Sequence, residues 1–242
     1  MILKQIEHYF KKTALISMIR NYVKSKNNKH ITVMTKDYSY LSSEILDIIS
    51  SLNKPIYPMF GTLLSIHRDN AFLYADDYDF ALNDKSYFNF ELINDIESYG
   101  LILSSFSIAN NELVELSFKY KGVSVDFFLI KNNIDESIHL CPNFRQSKSE
   151  KSFESNLKVR TYPSHFSVTY PKIELEKSFE LNLWIPKDPV SIFEKHYGHD
   201  WNVPKTENFI DFNNYQFHEI SSATYCGESK HLIAYLRKYN LL

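Results

Sequence analysis

Cysteine is scarce in this 242-residue chain: Cys141 and Cys226 are the only two, they lie far apart, and neither belongs to a Cys-x-x-Cys pair. That argues against a disulfide-stapled fold and a cysteine-rich zinc site, and makes a reducing cytoplasm the default setting. Neither charge is in excess. With 29 acidic and 27 basic residues and a formal net charge of −2, composition supports neither a nucleic-acid partner nor a disordered acidic tail. No apolar run is long enough to span a bilayer, and the short N-terminal stretch from Ala14 to Ile19 is too charged on both sides for a signal peptide. Internal repeats and low-complexity tracts are also lacking. Glycine is rare, at five residues, and one of these, Gly61, stands beside Thr62 at the head of an unusual acidic segment.

What is present is a large apolar share, 44%, with 15% aromatic residues, enough for a substantial core. The expected architecture is a single α/β (α+β) domain over residues 1–242: a helical N-terminal extension (1–30), a core of mixed sheet flanked by helices (31–204) and a C-terminal helical segment (205–242). The extension is amphipathic and carries Lys4, Lys11, Lys12, Arg20, Lys24 and Lys26. A solvated helix packed on the domain is the plainer reading, and peripheral contact with an anionic membrane surface the other.

Along the core, ITVMT from Ile31 is strand-like, and SSEILDIISSL from Ser42 has a serine cap and helical spacing. KPIYPMF is extended because its two prolines bar a helix, and TLLSIHR from Thr62 is a short helix. In NELVELSFKYKGVSVDFFLIK, Val114, Leu116, Phe118 and Tyr120 alternate with Glu115, Ser117 and Lys119, which predicts a hairpin turning at Lys121-Gly122. Residues 135–180 are expected to wrap the core as loops and short strands. Helices are expected at DPVSIFEKHYG, from Asp188 to its stop at Gly198, and at ESKHLIAYLRKYN.

The chemistry concentrates in GTLLSIHRDNAFLYADDYDFAL, from Gly61 to Leu82. If ADDYDFAL is a strand, Asp77 and Asp79 project side by side while Tyr78, Phe80 and Leu82 face the core. Carboxylates this close repel unless something positive sits between them. An i, i+2 pair on a strand suits a hard divalent cation, which binds through one or two carboxylates plus phosphate oxygens. The competing reading is a solvated, helix-capping loop. Gly61-Thr62 opening a helix adds a seat for phosphate, since the first backbone N–H groups of a helix have no intrahelical acceptor. Asp126, in VSVDFFLI, is the candidate third carboxylate, because the hairpin puts it with Ser124 and Phe128 on the face away from Val125 and Phe127; a water-facing edge residue is the alternative there.

These residues resemble the signature of the LicD/fukutin family, of nucleotidyltransferase-like fold, in which G-T-L-L, an arginine and a D-D-x-D run occur in that order. VSVDFF resembles the family's third-aspartate strand, and WIPKDPVSIFEKHYGHDWNVP, from Trp184 to Pro204, its late signature. The resemblance implies a phosphotransferase that moves a phosphorylated small alcohol, of the phosphocholine, ribitol phosphate or glycerol phosphate type, from a CDP-linked donor to a sugar hydroxyl of a surface glycan. It implies Asp77, Asp79 and Asp126 as catalytic metal ligands for one or two Mg²⁺, with Mn²⁺ able to substitute. Gly61, Thr62 and Arg68 would contact the donor phosphate, with Asp76 a further candidate. Two rivals stay open: a nucleotidyltransferase moving a nucleoside monophosphate from an NTP, and an inactive binding or assembly subunit.

Other residues have plainer readings. His196 and His199 read as a polar helix end rather than a zinc pair, since no third ligand is in view. Trp184 and Trp201 read as packing before an acceptor groove. Arg145, Lys148, Lys151, Lys158 and Arg160 read as a solvated basic loop.

Overall fold

The computed structural model describes residues 40–242, apart from 74, 147, 148, 154, 155, 206 and 208 and the side chains of 149–153. The extension 1–30 and the strand expected at Ile31 lie outside the described residues. Five helices and thirteen strands follow: α1 (40–51), β1 (Tyr57–Pro58), α2 (Phe60–Asp69), β2 (Asp77–Leu82), α3 (Phe90–Ser98), β3 (Ile102–Ala109), β4 (Glu112–Tyr120), β5 (Val123–Asn132), β6 (Glu136–Pro142), β7 (Ser149–Phe153), β8 (Leu157–Tyr162), β9 (His165–Pro171), β10 (Leu175–Ser178), β11 (Leu183–Pro186), α4 (Pro189–Tyr197), β12 (Tyr215–His218), β13 (Ser222–Cys226) and α5 (Ser229–Lys238). None of the helices is long and apolar enough to cross a membrane, among the described residues.

Local chemistry accounts for the element ends. Asn89 and Asp188 cap α3 and α4 by accepting from the backbone N–H groups of Leu92 and Ser191, at 3.0 and 3.2 Å. Gly198, at φ +91°, ends α4. Between β4 and β5 the turn residues Lys121 and Gly122 both have positive φ, +46° and +98°, the two-residue geometry that matches strand twist. A Cβ on Gly122 would meet no atom within 4 Å. Gly122→Ala is therefore expected to cost only the price of its backbone conformation, about 1–2 kcal/mol, readable in a urea melt; a cost near zero would mean that the turn relaxes freely.

The main sheet has eleven strands in the order β12-β9-β6-β5-β4-β3-β13-β8-β7, with β2 parallel to β5 and β1 antiparallel to β2. β10 and β11 form a separate hairpin. Only Pro163 and Ser164 separate β8 from β9, yet the two stand near opposite ends of the order, so the sheet curls back on itself. Ser164 closes the curl: its carbonyl accepts from Ser222 Oγ at 2.7 Å, and its hydroxyl accepts from Asn143 Nδ2 at 2.9 Å.

Each face of the curled sheet has its own core. On one, Tyr78, Phe80 and Leu82 of β2, Val125 and Phe127 of β5, and Leu116 and Phe118 of β4 pack with residues of α1, α3 and α5. On the other, a smaller cluster joins Phe60 and Leu63 of α2 to Ile130, Val168 and Tyr170 of the sheet and to Ile192, Phe193 and Tyr197 of α4.

One expectation needs correction. Residues 205–242 are not simply helical: besides α5 they supply β12 and β13, and β13 runs through the middle of the sheet between β3 and β8. SATYC is too short for its alternation to stand out. Residues 135–180, expected as loops and short strands, hold five strands of four to seven residues, few of them marked by clear periodicity. β9 shows why: His165, Phe166, Ser167, Val168 and Tyr170 are all buried, so both faces are covered and no two-residue period appears.

Candidate active site

Register places the acidic residues. β2 pairs with β5 so that Asp77 lies beside Ser124, Asp79 beside Asp126 and Ala81 beside Phe128. β4, on the other side of β5, sets Lys119 beside Ser124, Ser117 beside Asp126 and Glu115 beside Phe128. Because paired residues share a face, three rows cross the three strands: Asp77–Ser124–Lys119, Asp79–Asp126–Ser117 and Ala81–Phe128–Glu115. The three predicted carboxylates thus come together on one face. Glu115 joins them as a fourth acid, absent from the expected set.

A cavity of ≈ 670 Å³ opens on this face, lined by Asp77, Asp79, Glu115, Phe60, Gly61 and Tyr197 and also by His139, Cys141, Tyr162 and Tyr215. Asp126 stands beside this wall, with Oδ1 buried and without a hydrogen-bond partner among the described residues.

Burial and mutual repulsion govern the charges. Burial, followed by the charges of Asp126, Asp77 and Glu115, raises the Asp79 carboxyl well above its ordinary range. Burial and then the Glu115 charge raise Asp126 to about 7, an effect partly offset by the Ser117 hydroxyl and by Lys119. Burial also raises Glu115, against hydrogen bonds from Ser107 and Ser117, and pushes the neighbouring Cys141 thiol up to about 12. The Tyr197 hydroxyl is raised by burial and then by Asp79 and Asp77.

Two positive features meet these acids. Lys119 stands at the open end of the rows, its Nζ donating to Ser124 Oγ. The N-terminus of α2, the positive end of its dipole, is bonded to Asp79: Met59 N–H donates to the Asp79 carbonyl and the Asp79 N–H donates to Thr62 Oγ1, each at 2.9 Å. Thr62 therefore positions the acidic strand through its oxygen. Phe60 begins α2 at φ +45°, a conformation that costs a bulky residue ~1–3 kcal/mol. Its ring is held by Phe128, His139 and His196 at 5.3, 5.4 and 4.4 Å. A Cβ on Gly61 would meet nothing within 4 Å, so the backbone there is open to an approaching group.

Arg68 stands apart from the carboxylates. It lies in the last turn of α2, pairs with Asp69 at 2.9 Å and is 54% exposed. It lines an adjoining hollow of ≈ 490 Å³ with His67, Trp201 and Lys205, which meets the carboxylate cavity at Gly61, Tyr197 and Phe209. Asp76 precedes β2 and receives the Ser124 N–H on its carbonyl at 3.1 Å.

The histidine pair does not converge: His196 is buried and bonded to the Tyr215 hydroxyl, whereas the His199 side chain is 97% exposed. Trp184 packs against the smaller core, and Trp201 against Phe193 at 5.0 Å. Of the basic run, Arg145 lies over the Phe212 ring at 4.2 Å, while Lys148 and the Lys151 side chain lie outside the described residues.

Among the described residues no group of three or more His, Cys, Asp or Glu side chains is arranged closely enough to hold a metal ion as it stands. The donor set still suits a hard cation. It is all oxygen, beyond burial its carboxyls raise one another's pKa by mutual repulsion, which a bound cation would relieve, and one of its buried oxygens has no partner. Comparison with family models, with curated proteins and with solved structures found no match to this chain.

Proposed function

We propose that the chain is a nucleotidyltransferase-like domain that transfers a phosphorylated small alcohol from a CDP-linked donor to a sugar hydroxyl of a surface glycan, working in the cytoplasm or at the inner face of the membrane. The observation that carries the chemistry is the alignment of Asp79 with Asp126 on adjacent parallel strands, with Asp77 on the same face and the Asp126 Oδ1 atom unpartnered. The donor, acceptor and location rest on the resemblance of GTLLSIHRDNAFLYADDYDFA and of residues Trp184 to Pro204 to the LicD/fukutin family.

Asp77, Asp79 and Asp126 would hold Mg²⁺, which when bound neutralises charge on the phosphate oxygens. Phosphoryl transfer asks for positioning and for charge neutralisation more than for covalent chemistry. The open backbone at Gly61, at the N-terminus of α2, offers N–H groups to phosphate. Glu115, raised by burial and outside the metal set, is a carboxylate able to take the proton of an attacking hydroxyl, and Asp126 is the other, through whichever oxygen the metal leaves free. Arg68 serves the donor from the adjoining hollow rather than from beside the acids.

The deciding experiment incubates the protein with a panel of CDP-alcohols and NTPs and a glycan acceptor, with and without Mg²⁺, and follows CMP and pyrophosphate. Mg²⁺-dependent CMP release is expected. Pyrophosphate alone would move the assignment to nucleotidyl transfer, and silence toward every donor would favour a binding subunit. Arg68→Ala is expected to lower donor turnover about tenfold, the scale of one charge-assisted hydrogen bond, with stability changed by less than ~1 kcal/mol because its Asp69 pair is exposed. An unchanged rate removes Arg68 from the site.

A further inference from the structure

The lining of the cavity includes a side chain that the phosphate chemistry leaves unused. His139 of β6 pairs with Ile130 of β5, which puts it on the face of the sheet that carries Asp126 and Phe128. It is 4% exposed, it lines the cavity, and neither ring nitrogen has a hydrogen-bond partner among the described residues. Its ring meets Phe128 edge-on at 5.3 Å and lies tilted against Phe60 at 5.4 Å. The other buried histidine here, His196, spends Nδ1 on Tyr215. A buried polar atom left without a partner costs about 1–3 kcal/mol. Two on one ring, beside a cavity, point to something that enters the cavity and bonds to them.

The surroundings narrow what that is. Burial holds the imidazole neutral, with its pKa lowered to about 4, so it offers one donor and one acceptor rather than a charge. No lysine or arginine lines this cavity among the described residues, so without a metal an anionic group is not drawn to it. The carboxyl oxygens of Asp77, Asp79 and Glu115 accept, whether or not the group is protonated, and the Ser107 and Thr224 hydroxyls are already bonded to each other at 3.0 Å. A wall rich in acceptors, with aromatic faces between them, suits a ligand with many O–H donors and apolar C–H edges. A nucleobase brings too few donors.

We propose that His139 is a specificity-determining residue that hydrogen-bonds the hydroxyl groups of a neutral polyol or sugar ring held in this cavity. Binding there requires neither the metal nor the nucleotide of the proposed reaction.

The test uses the full chain labelled with ¹⁵N-histidine, with the His139 ring signals assigned by comparison with His139→Phe and His139→Gln. Glycerol, xylitol, glucose and galactose are titrated in without Mg²⁺ or nucleotide, and cytidine and tetramethylammonium serve as opposing probes. The expected result is a saturable shift of the His139 nitrogens with at least one polyol or sugar. Affinity should fall at least tenfold in His139→Phe and less in His139→Gln, whose amide keeps a donor and an acceptor. The proposal is overturned if no polyol or sugar moves these signals, if only cytidine or tetramethylammonium does, or if His139→Phe binds as tightly as the wild type. Should His139→Phe fail to fold, the wild-type shifts together with the His139→Gln affinity decide. A protein that releases no CMP can still pass this test, so the two readings fail separately.

Discussion

Asp126→Asn is expected to make the metal-free protein more stable and to remove nearly all of its activity. Asp126 is raised to about 7, by burial first and by Glu115 next, so between its ordinary range near 4 and about 7 the folded state holds a proton that the unfolded state has released. Stability from this group is complete below the ordinary value and is lost as pH rises through about 7. Asp79 and Glu115 are raised as well and act with the same sign. The metal-free wild type should therefore melt at higher temperature near pH 5 than at pH 7.5, by a few kcal/mol in total. Asparagine keeps the shape, removes the charge and supplies an N–H₂ to the acceptors around it. Its pH profile should be flatter and its stability at pH 7.5 higher by about 1–3 kcal/mol. Mg²⁺ with CDP should stabilise the wild type by about 2–4 kcal/mol at concentrations well above the dissociation constant, and the variant much less. Thermal melts across pH, with and without these ligands, give the answer; superimposable curves for the two proteins would put Asp126 outside the site.

Asp77→Asn and Asp79→Asn should each lower turnover by about 10²–10³, the scale on which one preorganised electrostatic contact counts in a transition state, while leaving the fold intact. Asp79 shows why the fold survives. Its backbone is fixed by Met59 and Thr62 and by the pairing with β5, none of which involves the carboxylate. Asp76→Asn should be milder, since Asp76 stands before β2 and its ladder contact is made by its carbonyl. Single-turnover rates measured alongside circular dichroism separate chemistry from unfolding. Near-normal turnover in either strand variant would sink the assignment of the acidic strand to the reaction.

Much of this site could be read from the hairpin. A two-residue turn at Lys121-Gly122 forces Ser117 opposite Asp126 and Glu115 opposite Phe128, as observed. Glu115 was therefore within reach, but alternation with Val114 and Leu116 made it look like an outward-facing residue. That β2 lies beside β5 was not legible from periodicity, because a parallel neighbour leaves no local trace in either strand. His139 is one polar residue in SIHLC, and nothing near it marks a cavity wall. The segment from 135 to 180 was hidden for a related reason: where a strand is covered on both sides, as β9 is, burial no longer alternates with sequence.

The position of β13 imposes an order of assembly on the growing polypeptide. β2, β4 and β5 come from residues 77–132, so the acidic rows can form while the chain beyond residue 132, a little under half of it, is still unmade. Among the described residues β8 pairs only with β7 and β13, and β13 joins Ser222 to both Ala109 and Tyr162. The curl, and with it the wall bearing Tyr162 and Thr224, cannot close until synthesis has passed Cys226. Contacts so distant in sequence close slowly. Until they do, a nascent chain carries its carboxylates on an open sheet, exposed to water and to any passing cation, with the chamber that would select a partner still to be built.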